Sequence, residues 1–129
     1  FDTNVLVYAY DTSEEEKRAA CSGLISEVFS GKSAGAVSSQ VLAEVFYVLT
    51  TKVRKPLSAA KANEIILTFL KSENWLKINY NEGTLEKSMG TAINSRVDFW
   101  DVLIAETMKE NGIVKIYTEN EKDFRKKAG

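Results

Sequence analysis

The chain has 129 residues, 44% of them hydrophobic and 27% charged, and a formal net charge of −1; these values are typical of one globular domain and predict no general basic field for nucleic acid. It contains no histidine and one cysteine, which excludes Ser–His and Cys–His nucleophilic schemes, histidine zinc sites and an intrachain disulfide. The glycines form no phosphate-binding loop and no apolar run reaches membrane-spanning length, so we expect a cytoplasmic protein whose chemistry comes from carboxylates, hydroxyls and amines.

Apolar periodicity and capping residues predict an alternation of helices and strands. Helices are expected over residues 4–10, 14–29, 40–53, 58–70, 84–93 and 99–110, and strands over residues 34–38, 74–80 and 113–117. The residues expected to cap helices are those at 11–13, Ser39, Ser58 and Asp98. Phe1 and Asp2 are interpreted as the end of a buried strand whose first part precedes Phe1. The pattern predicts an α/β sandwich with a mostly parallel central sheet flanked by helices, in a single domain over residues 1–129.

Acidic and amide side chains interrupt several of the apolar stretches. Asp2 lies in FDTNVL, Glu44 in QVLAEVFYVL, Asp101 in FWDVLIAE and Asn120 in YTENEKDF. A carboxylate among buried side chains is strongly unfavourable unless it is paired or binds a cation. Because like charges that meet without a cation would repel each other and favour protonation, we expect these groups to converge on a shared cation.

The expected sheet offers these groups a common edge, since ligands of parallel α/β sheets gather at the carboxyl ends of the strands. The residues that follow candidate strands are Asp2, Ser39 and Thr118. Asp98 and Asp101 are three residues apart, so both can project from one side of a helix start. Such oxygen ligands suit Mg²⁺ or Mn²⁺ better than zinc, which prefers nitrogen or sulfur.

Four segments resemble the successive motifs of PIN domains of the VapC-toxin-like branch: FDTNVLVYAY, SSQVLAEVFYVL, FWDVLIAE and IYTENEKDF. The resemblance covers nearly the whole chain, in order and at suitable spacing. It implies an endoribonuclease that uses one or two Mg²⁺ or Mn²⁺ ions and hydrolyses RNA phosphodiester bonds with metal-activated water. It also implies a homodimer that acts as the toxin of a VapBC-type pair and is inhibited by a small antitoxin protein.

The resemblance also assigns roles to individual residues. The catalytic positions are Asp2, Glu44, Asp101 and Asn120. The metal ligands would be Asp2, Asp101 and Glu44, with Asp98 as a further candidate. The side chains expected to support these ligands are Thr3, Asn4, Ser39, Thr118 and Asp123, and the cations expected to contact RNA are Lys122 and Arg125. Many PIN domains carry Asp at the place of Asn120, and an amide binds a cation more weakly than a carboxylate.

Each position also has a simpler structural interpretation. Asp2 and Asp98 could cap helices, Asp101 could favour a helix dipole, Glu44 could lie on a helix surface and Asn120 could occupy a turn. The aromatic residues Phe46, Tyr47, Phe99 and Trp100 are interpreted mostly as core, although some could face a partner subunit. For the whole protein, the alternatives are a PIN-fold nuclease of RNA processing or structure-specific DNA cleavage, or a degenerate PIN module that binds RNA or protein without cutting.

Overall fold

The computed structural model describes residues 1–113 of the chain. The elements of this part are α1 (Thr3–Tyr10), α2 (Glu15–Phe29), β1 (Gly35–Ser38), α3 (Ser39–Thr51), α4 (Ala59–Lys71), β2 (Trp75–Ile78), α5 (Glu82–Ile93) and α6 (Phe99–Glu110). The helices and the parallel β1–β2 sheet confirm the predicted α/β class. Of the strand predicted over residues 113–117, residues 114–117 lie outside the described part of the chain.

The chain divides into two compact units, one from Phe1 to Lys77 and one that begins at Ile78. Within the first unit, α1 packs against α2 and α3, and α3 packs against α4. Within the second unit, α5 packs against α6. The prediction of a single domain over the whole chain stays a prediction.

An aromatic cluster forms much of the core of the first unit. The ring centroids of Phe29, Phe69 and Trp75 lie 4.9, 5.0 and 5.6 Å from one another. Phe1 packs edge-on against Trp75 at 4.9 Å. Such tilted aromatic pairs stabilise the core beyond the area they bury. The cluster therefore joins the end of α2 to α4 and β2, and it holds the residue before Asp2 in place.

Strand β1 is closely covered on one side. A Cβ atom at Gly35 would lie 2.7 Å from both γ-carbons of Val28 and 3.3 Å from Cζ3 of Trp75, so only glycine fits without displacement of the core. The backbone nitrogen of Phe1 donates a hydrogen bond to the Ala36 carbonyl oxygen at 3.2 Å. This bond ties the start of the described chain to β1, directly before Asp2.

Two of the predicted helix caps are confirmed and one is corrected by a residue. Ser58 Oγ accepts from the backbone N–H of Lys61, and Asp98 Oδ1 accepts from that of Trp100. For α3 the cap is Ser38 rather than Ser39, because α3 already begins at Ser39. The strand therefore ends directly in the capping residue, with no connecting loop.

The start of α2 also differs from the prediction. Its N-cap is Glu14, which makes no side-chain capping bond. The Asp11 carboxylate accepts instead from the Ser13 backbone N–H at 3.0 Å and from the Ser13 hydroxyl at 2.6 Å. Asp and Ser side chains often close such local turns before a helix. Asp11 thus stabilises the turn between α1 and α2 rather than the first turn of α2.

In the second unit, a polar contact joins α5 and α6. Asn81 caps α5 in a reciprocal arrangement with Thr84, and the buried Thr84 hydroxyl donates to Glu110 Oε2 in α6 at 2.6 Å. The face of α6 that contains Val102, Leu103 and Met108 is buried. None of the helices in the described part of the chain has the length and apolarity that a bilayer crossing requires.

Candidate active site

Asp2 is a buried carboxylate at the start of α1. Its side chain is 6% exposed, and its Oδ1 accepts from the backbone N–H of Val5 at 3.2 Å. Asp2 is therefore the N-cap of α1, and the positive end of the helix dipole favours its negative charge. A carboxylate accepts at about four lone-pair positions, so helix capping and cation binding are compatible on one side chain.

The residue after Asp2 is hydrogen-bonded to the second predicted acid. Thr3 Oγ1 donates to Glu44 Oε2 at 2.7 Å, from the first residue of α1 to the middle of α3. Gln40, one turn earlier in α3, donates from Nε2 to Glu44 Oε1 at 3.5 Å. The structure thus brings the segment of Asp2 and Thr3 next to Glu44, a partly buried acid held by two donors from different elements.

The other polar side chains of these elements differ in their burial. Asn4 and Ser39 are exposed, whereas Ser38 is buried and its Oγ accepts from the backbone N–H of Val41 at 3.0 Å. Sequence analysis did not single out Gln40, although its position four residues before Glu44 places both side chains on one helical face.

In the second unit, two acids lie in the first turn of α6. Asp98 is exposed and is the N-cap of α6, with Oδ1 accepting from the Trp100 backbone N–H at 2.9 Å. Asp101 follows it by three residues and is partly buried. Asp98 is therefore the helix cap of its simpler interpretation, and Asp101 is an acid in the first turn of α6.

Several predicted site residues lie outside the described part of the chain. These are Thr118, Asn120, Lys122, Asp123 and Arg125. Within residues 1–113, no three acidic or cysteine side chains form a group that could hold a metal ion. Asp2 and Glu44 lie in the first unit, and Asp98 and Asp101 lie in the second. In their chemistry these residues fit Mg²⁺ or Mn²⁺, because every donor they offer is a hard oxygen.

Comparison with protein families settles the class of the molecule. A family model described as PIN domain matches residues 1–129, which is the whole chain. The chain belongs to the PIN domain family. This confirms the family predicted from the four motifs, while the VapC-like branch stays a prediction. PIN domains are generally nucleases, and they typically use divalent metal ions to hydrolyse phosphodiester bonds. No curated protein matches the chain.

One aromatic residue of this PIN domain differs from its predicted placement. Trp100 was expected mostly in the core, yet its side chain is 53% exposed, whereas Trp75 is 1% exposed. The apolar run FWDVLIAE does not show this, because Leu103 and Ile104, which lie three and four residues after Trp100 on the same helical face, are both buried.

Proposed function

We propose that this PIN domain is a Mg²⁺- or Mn²⁺-dependent endoribonuclease and the toxin of a VapBC-type toxin–antitoxin pair. The whole-chain PIN match supports the nuclease class. The observation that carries the site is the Thr3–Glu44 hydrogen bond directly after the buried Asp2, because it joins two of the predicted acid segments in the described structure.

The proposed metal ligands are Asp2 and Asp101, with Glu44 completing the set and Asp98 as a further candidate for a second ion. All are carboxylates, which suits a hard divalent cation. When bound, such a cation lowers the pKa of water and stabilises negative charge on the phosphodiester.

The chain's own residues would prepare this chemistry. The first turn of α1 fixes the Asp2 carboxylate, and Thr3 Oγ1 fixes Glu44 Oε2 at 2.7 Å. Because the chain contains no histidine, a carboxylate or hydroxide itself would act as the base. Glu44 would complete the ligand set or orient the attacking water; its Oε2 accepts from Thr3 Oγ1, and its Oε1 accepts a long hydrogen bond, 3.5 Å, from Gln40 Nε2.

The remaining parts of the proposal come from the VapC-like resemblance. Asn120 would complete the acid set, with Asn4, Ser39, Thr118 and Asp123 as supporting groups. Lys122 and Arg125 would contact RNA phosphates, whose negative charge attracts basic side chains. The protein would act in the cytoplasm as a homodimer, and a small antitoxin protein would hold it inactive.

RNA cleavage by acid variants tests the proposal. Asp2→Asn removes one charge but keeps an oxygen that can cap α1, since Asn is as good an N-cap as Asp. Asp101→Asn makes the same change in α6. We expect each to reduce Mn²⁺-dependent cleavage of single-stranded RNA by at least about 100-fold, and chelator to abolish the wild-type activity.

Glu82→Gln is the matched control, because Glu82 is an acid in the first turn of α5. It should cleave RNA like the wild type, and circular dichroism should show that all three variants are folded. Wild-type activity in both Asp2→Asn and Asp101→Asn would refute the nuclease site. Growth arrest on expression, relieved by Asp101→Asn, tests the toxin role; active enzyme that leaves growth unchanged would favour an RNA-processing nuclease.

A further inference from the structure

Trp100 is an exposed indole beside the proposed acids of α6. Its side chain is 53% exposed, and it lies between Asp98 and Asp101 in the first helical turn. A large exposed aromatic side chain offers more apolar area for a bound molecule to cover than almost any other residue.

The position of this indole is fixed by its neighbours. The Phe99 ring meets it edge to face, with centroids 5.3 Å apart and planes at 65°. The Trp100 backbone N–H is bound by Asp98 Oδ1 at 2.9 Å. The contact with Phe99 restricts the indole, so less side-chain entropy is lost when a ligand binds to it.

The surroundings of Trp100 favour a nucleobase over a protein as the covering group. Arg96, four residues before Trp100, and Asp98 are exposed, and Asp101 follows Trp100 directly. Charged residues are depleted from the cores of protein interfaces, whereas sites for single-stranded nucleic acid combine aromatic faces with basic side chains. This charged segment with one exposed cation therefore fits RNA better than it fits the core of a protein interface.

Resting on the proposed ribonuclease function, we infer that Trp100 is a stacking platform for one unpaired base of the RNA substrate. Trp100 directly precedes Asp101 in the first turn of α6, so the inferred base would lie within a few nucleotides of a phosphate held at Asp101. Stacking requires a free base face, which a continuous duplex lacks. Trp100 thus positions a single strand for cutting and sets a preference for a base near the cleavage site.

Binding of a short single-stranded RNA in EDTA tests this inference without cleavage. The anisotropy of a dye on the RNA measures affinity. Quenching of the protein's own fluorescence measures contact of a base with Trp100, because the other tryptophan, Trp75, is buried. We expect RNA to quench the wild-type fluorescence. We expect Trp100→Leu to weaken binding about tenfold or more, and Trp100→Phe to weaken it less because phenylalanine keeps a stacking face.

An RNA series with one abasic position moved along the strand locates the stacked base. The wild type should lose about tenfold in affinity at one position, and Trp100→Leu should bind the whole series equally. Met89→Ala is the control, since Met89 is an apolar side chain of the same unit with a similar exposure, 49%; it should behave like the wild type.

The possible outcomes separate the inference from the proposed function. If Trp100→Leu keeps the wild-type affinity and abasic profile while the wild type cleaves RNA, the stacking role is wrong and the nuclease stands. If Trp100→Leu changes only the oligomeric state, measured by light scattering, Trp100 belongs to a protein interface and the inference is again wrong. Trp100-dependent binding by a wild type that never cuts RNA would support stacking and refute the ribonuclease.

Discussion

Substitution of Thr3 by valine removes one hydroxyl from the best-defined polar contact of the candidate site. Valine keeps the β-branched shape, so the change isolates the bond from Thr3 Oγ1 to Glu44 Oε2 at 2.7 Å. Hydrogen bonds to charged groups stabilise proteins by about 1.5–3 kcal/mol. Because both side chains are partly exposed, we expect a value near or below the lower end of that range: the free energy of unfolding should fall by about 1–2 kcal/mol.

A double-mutant cycle assigns this loss to the pair. Urea unfolding of the wild type, Thr3→Val, Glu44→Ala and the double variant should give a coupling energy of about 1 kcal/mol, because each single variant removes the same bond. Thr3→Ser, which keeps the hydroxyl, should lie much closer to the wild type than Thr3→Val.

The same substitution should also lower activity, since groups that orient metal ligands typically contribute about 10- to 100-fold to metal affinity or activity. In a Mn²⁺ titration of RNA cleavage, Thr3→Val should therefore need a higher Mn²⁺ concentration for half-maximal cleavage or reach a lower maximal rate. Thr3→Ser should restore most of the wild-type behaviour. Additive stabilities in the cycle, together with wild-type cleavage by Thr3→Val, would refute the role of Thr3 as a support for Glu44.

Three further predictions concern stability, measured as the free energy of unfolding in urea. Ser38→Ala should lose about 1 kcal/mol because it removes the α3 cap, whereas Ser39→Ala should change little; equal effects would contradict the assignment of the cap. Gly35→Ala should lose about 1–3 kcal/mol through overpacking against Val28. Gly23 lies in α2 with open space around it, so Gly23→Ala should gain about 0.5–1 kcal/mol. A Gly35→Ala variant as stable as the wild type would contradict the close packing. Burial raises the pKa of the Tyr10 phenol above its ordinary value. Because the unfolded chain therefore loses this proton more readily than the native state, the free energy of unfolding should fall as pH rises past about 10. The free energy of unfolding of Tyr10→Phe should fall less over the same range, and identical pH profiles would contradict this.

The sequence predicts the helices better than it predicts the details of their ends. Helix α6 was expected over residues 99–110 and spans Phe99–Glu110, because its apolar period is clear and Asp98 and Gly112 mark its limits. At α3, two consecutive serines can both act as caps. Only the direct passage from β1 into the helix decides that Ser38 fills the role, and sequence does not contain that geometry.

The candidate site was only partly accessible from sequence for a similar reason. The acids at Asp2 and Glu44 were recognisable from their apolar context, and Thr3 was recognisable through the resemblance. The Thr3–Glu44 contact joins residues 41 positions apart, and it depends on how α1 packs against α3. Likewise the exposure of Trp100 was not predictable from the period of α6, since Leu103 and Ile104, three and four residues later on the same face, are buried.

Anomalous diffraction from a crystal of the full chain grown in Mn²⁺ would test most directly whether the acids hold a divalent cation. We predict a manganese peak bonded by carboxylate oxygens of Asp2 and Asp101, with Glu44 in contact with the ion or with a water bound to it. Ordered Asp2, Glu44 and Asp101 side chains without manganese, at a concentration that supports cleavage, would contradict the proposed site.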